Sequence, residues 1–470
     1  MPDRGVASRR GRDRLGGGDR GGGTVAAPAT RLRGAFREFL RLEAAGGAVL
    51  LACVIVALAW ANSPWRGAYE GLWSTHLSIE VARFRLDESL LHWINDGLMA
   101  LFFFVVGLEI KREVVAGELA EPRKAMLPIA GALGGMLVPA AIYAVINAGG
   151  PGAAGWGVPM ATDIAFAVAA VSVLGSRVPA SLKVFLTALA IVDDLGAILV
   201  IAVFYAHGVA WSWLGAGVAG LALCALFNAR RIRSPIPYAL AGLGVWVAFL
   251  HSGVHATIAG VLVAMTIPAR RQLDSREFLR RSASILEDFE EASEFRSARL
   301  VSGGQQNALG ALEEAVEHVQ TPLQRLEDAL HPWVVFGVLP LFALANAGVS
   351  IEGSPAAMLG HPVALGIVGG LVLGKWIGIT LFSWAATRLG LAALPSDARW
   401  AQLHGVAWLA GIGFTMSLFI AGLAFDEGEL MAVAKLAILL ASVLAFTGGM
   451  AVLYVGGGRP KAGTRSQHRP

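Results

Sequence analysis

The chain has 470 residues, with 38 Lys and Arg against 34 Asp and Glu and a formal net charge of +4. Hydrophobic residues make up 55% and charged residues 15%, against about 25% charged in a soluble domain, and mean hydropathy is +0.61. This balance excludes an ordinary soluble domain and predicts a membrane-embedded protein, in which the 58 glycines suit close helix packing. The cationic excess reads as loop charge and not as a surface for an acidic partner.

Residues 1 to about 30 are rich in Arg and Gly, without the apolar stretch of a signal peptide. They predict a disordered basic cytoplasmic tail over residues 1–40. An RGG-like tail for nucleic acid is the alternative, but it lacks interleaved aromatics, and no nucleic-acid partner is expected.

Twelve apolar stretches follow that are long enough, or nearly so, to span a bilayer as helices of about 20 residues. Their approximate limits are 45–62, 91–110, 125–147, 157–175, 181–206, 209–227, 236–251, 254–268, 332–349, 362–385, 402–424 and 431–455. The expected fold is an all-α integral membrane protein, with helices 1–8 in 41–268, helices 9–12 in 331–456 and a cytoplasmic tail over 457–470. Only His251, Ser252 and Gly253 separate the seventh and eighth stretches, as in a tight hairpin. Cys53 and Cys224 lie in apolar runs and read as packing residues, not as a disulfide or a metal site.

Basic residues cluster in alternate loops: Arg31, Arg33, Arg37 and Arg41 before the first span, Lys111, Arg112, Arg123 and Lys124 after the second, and Arg177 and Lys183 after the fourth. Arg230, Arg231 and Arg233 follow the sixth, Arg270 and Arg271 the eighth, Arg388 and Arg399 the tenth, and Arg459 and Lys461 the twelfth. The loops between carry few, apart from Arg66, Arg83 and Arg85. The positive-inside rule then puts both termini in the cytoplasm.

Two loops are long. Residues 63–90 contain LSIEVARFRL, whose partial alternation fits a short exterior hairpin or an irregular loop. Residues 269–330 are polar and cytoplasmic. In their second half Leu312, Val316, Val319, Leu323, Leu326 and Leu330 make an amphipathic helical stripe. Thr321, Pro322 and Gln324 interrupt it with a capping box and a first-turn proline, so two short helices are expected.

Asp193 and Asp194 stand inside FLTALAIVDDLGAILVIAVFYA. One carboxylate at the bilayer centre costs roughly 2.5–3.5 kcal/mol on the insertion scale, so a pair must face water, an ion or a partner. Neighbours on a helix point about 100° apart. One aspartate can therefore bind a permeating ion while the other meets a fixed partner; a purely structural charge pair is the alternative. Lys375, in GLVLGKWIGITLF, is the only strongly buried lysine expected, so at most one of the two is neutralised.

Asp163 follows GWGVPMAT, where Gly157 and Pro159 weaken the helix before Thr162. Broken helices are tolerated in membranes where they line protein or water, and their ends can bind ions; Asp163 could instead only cap a half-helix. GIGFTMS, with Gly411, Gly413, Thr415 and Ser417, interrupts the eleventh span in the same way. Spans three to five and ten to twelve run in opposite senses, which fits an inverted repeat. Glu109, Arg112 and Glu113 share one helix face and could be only a solvated helix end. Asp96 reads as a helix cap or an exterior charge. His255, in SGVHATIAG, reads as packing or as a sensor. Glu327 and His331 flank the entry to the ninth span, where a histidine could report pH or simply be solvated.

Together ATDIAFA (161–167), LAIVDDLGAI (189–198), WINDGLMALFFFVVGLEIKRE (93–113), SGVHATIAG (252–260), HPWVVFGVLPLFALANAGVS (331–350), LVLGKWIGI (371–379) and GIGFTMSLFIAGLAF (411–425) resemble the bacterial NhaA family of sodium–proton antiporters, in order and from about residue 40 to 455. This family is itself a standard example of inverted repeats, so the repeat argument is not independent of the resemblance.

The resemblance implies twelve helices with two discontinuous crossing ones, and pH-regulated, electrogenic exchange of sodium or lithium for protons in a bacterial inner membrane, with no enzymatic activity. It implies that Asp193 and Asp194 are the essential acids and sodium ligands, with Asp194 the direct one, that Thr162 and Asp163 lie beside the crossing helices, and that Lys375 pairs with Asp193. Glu109, Arg112, Glu113, Glu327 and His331 match the pH-response region, and His255 a histidine tied to pH dependence. The first long loop matches the exterior hairpin through which members form homodimers. No cofactor is implied; sodium, lithium and protons are cargo. Two positions depart: Trp376 stands where familiar members carry proline, and Asp328 where they carry histidine. The Arg/Gly tail and the 269–330 loop are longer than in familiar members.

Two other classes share buried acids. An intramembrane aspartyl protease would place them on separate helices with a GxGD-like motif, which is absent. A passive cation channel builds its filter from repeated carbonyl rings at a symmetry axis, and no such loop is evident.

Overall fold

In this computed structural model the described residues are 28–81, 84–206, 208–270, 274–292, 302–350, 354–426 and 428–456. The tail up to residue 27, the C-terminal tail over 457–470, Arg83, Arg271, Arg459 and Lys461 lie outside them. The described residues from Leu40 to Gly456 fall in one compact unit.

Helix α1 spans Pro28–Ala61, so it begins within the stretch expected to be disordered to residue 40. Proline is pre-set for a first helical turn, and Leu32, Phe36 and Phe39 repeat at helical spacing. After α2 (Arg66–Trp73) come β1 (His76–Val81) and β2 (Phe84–Ser89), which pair antiparallel with Ile79 opposite Leu86. The alternation of LSIEVARFRL thus forms a hairpin. Tyr69 on α2 donates to Leu344 O at 2.8 Å, and burial pushes its phenol up to about 12.

α3 (Leu90–His92) passes through a π-helical turn, Trp93–Leu98, into α4 (Met99–Ala116). α5 is Pro122–Ile146. A 3-10 segment, Ala153–Met160, precedes α6 (Ile164–Val173), and α7 is Ala180–Phe204. α8 (Trp211–Ala229), α9 (Pro235–Leu250) and α10 (Thr257–Thr266) follow. α11 (Ser275–Glu291) and α12 (Gly303–Val319) come before α13 (Pro322–Trp333), which continues through Val334–Val338 into α14 (Leu339–Asn346). After α15 (Pro355–Leu359), α16 (Pro362–Val368) is joined by the π-helical turn Gly369–Gly374 to α17 (Lys375–Arg388). α18 (Trp400–Leu409), α19 (Phe414–Ala424) and α20 (Glu429–Gly456) complete the chain.

Among the described residues eight helices are long and apolar enough to cross a membrane, and α18 with α19, bent by 46° at their break, adds a ninth if they are one span. α9 and α10 are apolar but shorter. α4 carries four charged residues, Glu109, Lys111, Arg112 and Glu113, near its end.

The break expected at Thr321 is present. Its hydroxyl accepts from Gln324 N at 3.2 Å, and Gln324 Oε1 accepts from Thr321 N at 3.3 Å. α11 lies in the half of the loop where no stripe was read, because charged neighbours mask the spacing of Phe278, Ile285 and Phe289.

α5 packs along α17, α18 along α20, and α4 along α10. At the first contact Gly134 and Gly378 meet backbone to backbone: a Cβ on either would collide with the other's carbonyl.

Candidate ion-binding site

Pro159 has no N–H to continue a helix. The 3-10 segment stops at Met160, Ala161 is extended, and Asp163 begins α6 as its N-cap. On the other side α18 stops at Leu409 and α19 starts at Phe414, with Gly411 and Gly413 between. The two interruptions face each other. Asp163 N donates to Ile412 O at 2.7 Å, and Ser417 Oγ donates to Val158 O at 2.8 Å. Ser442 Oγ on α20 accepts from Phe414 N at 3.3 Å.

Asp163 joins these half-helices. Its Oδ1 accepts from Phe166 N at 3.1 Å, and its Oδ2 accepts from Thr415 N at 3.0 Å and from the Thr415 hydroxyl. One carboxyl group thus caps two helix N-termini, where unpaired N–H groups and the macrodipole favour it. The cap alternative for Asp163 is realised, for two helices at once.

Asp193 and Asp194 lie on α7, with 1% and 2% of their surface exposed. Lys375 opens α17 just after a π-helical turn, a feature common at functional sites. Its ammonium donates to Asp193 Oδ2 and to Thr162 Oγ1, the latter at 2.9 Å. The Thr162 hydroxyl lies 2.7 Å from Asp193 Oδ2 and 2.8 Å from Ala410 O, with one proton to give between them. The Asp194 side chain accepts no hydrogen bond among the described residues, and its buried Oδ1 has no partner. Asp193 Oδ1 is also buried and unpartnered. Four of the expected residues, Thr162, Asp193, Asp194 and Lys375, therefore gather next to Asp163.

Lys375 is not the only buried lysine: Lys183 is 9% exposed. It precedes Asp193 on the same helix by about 15 Å of rise, too far to pair with it. Sequence alone could not exclude its burial, because it sits within the first turns of an apolar helix.

The residues that the resemblance ties to pH response fall into two places. At the end of α4, Arg112 pairs with Glu327 on α13 and with Glu113 at 3.1 Å, and Glu109 lies 3.4 Å from His331. His255 lies instead 3.7 Å from Asp96, whose carbonyl accepts from Trp246 Nε1 at 3.0 Å. Asp96 is not a helix cap; Ser89 caps α3.

Three contributors had no role assigned from sequence. Thr415 and Ser417 were visible in GIGFTMS, but their partners are distant in sequence. Lys111, read as a loop charge, donates to Met265 O and Ile267 O, both at 2.6 Å, closing the end of α10.

A buried acid pair with one member tied to lysine, beside two facing broken helices, belongs to an ion-coupled membrane transporter. The chain belongs to the Na+/H+ antiporter 1 family, whose profile matches residues 37–453. It is 51% identical over 433 residues to the Na(+)/H(+) antiporter NhaA of Oleidesulfovibrio alaskensis, covering 92% of this chain and 96% of that protein. The NhaA proteins of Koribacter versatilis and Acidithiobacillus ferrooxidans are 48% identical over 421 residues (89% of this chain, 91% of that one) and 49% identical over 422 (89% and 97%).

Proposed function

We propose that this protein exchanges cytoplasmic sodium or lithium for external protons by alternating access at Asp193 and Asp194. The observation that carries the reading is the asymmetry of the pair: Lys375 and Thr162 hold Asp193, while Asp194 has no protein partner among the described residues. Family membership supports sodium and protons as the cargo.

Sodium is a hard cation that prefers oxygen ligands, and a carboxylate supplies them. A proton competes for the same oxygens. In this mechanism deprotonated Asp194 takes sodium from one side, and protonation on the other side releases it. Asp193, Asp194 and Lys375 titrate as a coupled set. Asp163 and Thr162 hold the broken helices together around them. More protons than sodium ions cross in each cycle, so the membrane potential drives sodium out.

The same reading takes twelve spans, with α9, α10 and the α3–α4 segment completing the set, and inverted triplets meeting at the two breaks. It places the protein in the bacterial inner membrane with both termini and residues 269–330 cytoplasmic, a pH-responsive cluster at Glu109, Arg112, Glu113, Glu327 and His331 with His255 apart, and a homodimer formed through β1 and β2. Proteoliposomes test it. Sodium or lithium added across a pH series should release protons from the lumen, and uptake of sodium without any counter-movement of protons at every pH would overturn it.

A further inference from the structure

α11 and α12 form an antiparallel hairpin: Ser302 Oγ, at the start of α12, lies 3.5 Å from Ala292 O at the end of α11. Their shared seam buries Ala308 and Ala315 and half-buries Phe278 and Ile285. One position further round each helix stands a second apolar stripe that the seam does not use. It consists of Leu279 and Leu286 on α11, 67% and 57% exposed, and Leu309 and Val316 on α12.

In antiparallel helices a step of one residue turns both stripes toward the same side. Leu286 and Leu309 lie near the turn, and Leu279 and Val316 one heptad further from it. The hairpin thus presents one flat face with two apolar layers.

The charges beside this face select its occupant. α11 and α12 contain no lysine and three arginines, Arg276, Arg280 and Arg281, against eight acids, Glu277, Glu287, Asp288, Glu290, Glu291, Glu313, Glu314 and Glu317. That balance repels an anionic lipid surface, which attracts basic amphipathic helices. The α11 stripe is instead self-complementary about Ala283. Arg276 and Arg280 lie toward one end, and Glu287 and Glu290 lie at nearly equal distances toward the other. Arg280 is also 3.7 Å from Glu277 of its own helix, an exposed pair too weak to hold it there.

We propose that this face docks on the same face of a second copy of the chain, with the two α11 helices antiparallel. Arg276 and Arg280 then meet Glu290 and Glu287 of the second copy while the leucines interdigitate. A patch that pairs with itself in this way makes a closed two-fold contact, and flanking charges set its register, as in coiled coils. This contact is separate from the β1–β2 hairpin and does not depend on the transport reading.

Cysteine cross-linking of the full-length protein in nanodiscs tests it, with Cys53 and Cys224 first replaced by Ser. Ala283→Cys lies at the two-fold centre, and Ser284→Cys faces away. Mild oxidation should give a disulfide-linked dimer from Ala283→Cys and monomer from Ser284→Cys. Adding Arg276→Glu and Arg280→Glu should abolish that dimer, and further adding Glu287→Arg and Glu290→Arg should restore it. Equal cross-linking at the two positions, none at either, or no rescue by the full charge reversal would overturn the proposal. So would an Ala283→Cys thiol that lipid shields from a water-soluble maleimide in every charge variant. Sodium–proton exchange recorded on the same samples separates this result from the transport function.

Discussion

Lys375 and Asp193 form an ion pair with no exposed side-chain surface on either partner, and Asp194, the next residue on α7, takes no part in it. Helix geometry makes this possible, because consecutive side chains diverge by about 100°. One carboxyl group is committed to the scaffold; in the proposed mechanism its neighbour keeps its oxygens for cargo.

Asp194→Asn should therefore abolish exchange while leaving insertion and folding intact, since the side chain has no protein bond to lose. Everted membrane vesicles with a pH dye, alongside gel filtration of the purified variant, measure both properties. Normal sodium-dependent dequenching would remove Asp194 from the site.

Lys375→Ala should behave differently. Removing one partner of a buried pair leaves the other uncompensated, at a typical loss of about 3–5 kcal/mol, whereas replacing both is often near neutral. Thermal melting should show a large drop for Lys375→Ala and recovery of most of it on adding Asp193→Asn. If the double variant melts no higher than the single one, the pair is not the source of the loss.

Part of this site was legible in the sequence. Two acids in an apolar helix, one lysine in another, and glycines at two interruptions announce charge and broken helices wherever the rest of the chain lies. The double cap made by Asp163 was not, because Thr415 is 252 residues away and nothing local to either residue encodes the meeting. α11 was hidden by its own charges. Lys111 was counted for its charge and orientation value, although its ammonium closes a helix.

The double cap has a measurable consequence. A single N-cap is worth about 0.5–2 kcal/mol, so Asp163→Ala, which frees two helix ends, should lower the melting temperature more than Thr415→Val, which removes only the hydroxyl donor. Equal losses would mean that the two backbone bonds, from Phe166 N and from Thr415 N, contribute nothing.

The contact between α4 and α13 should act on pH response rather than on cargo. Glu327→Gln removes the charge opposite Arg112 without changing side-chain size. The expected result is a displaced pH dependence of exchange with the maximal rate retained. A profile of unchanged shape at a uniformly lower rate would make the Arg112–Glu327 pair purely structural.

α5 crosses α17, the helix that Lys375 opens, and the close approach depends on two glycines. A methyl group on Gly134 or Gly378 would meet a backbone carbonyl, which cannot swing aside as a flexible side chain can. Overpacking of this kind typically costs about 1–3 kcal/mol. Gly378→Ala and Gly134→Ala should each lower the melting temperature and, by pushing the helices apart, reduce exchange. Gly244→Ala on α9 is the control, since nothing lies within 4 Å of its added carbon, and it should melt no lower than the parent. Equal behaviour of all three variants would show that the α5–α17 approach is not set by these residues.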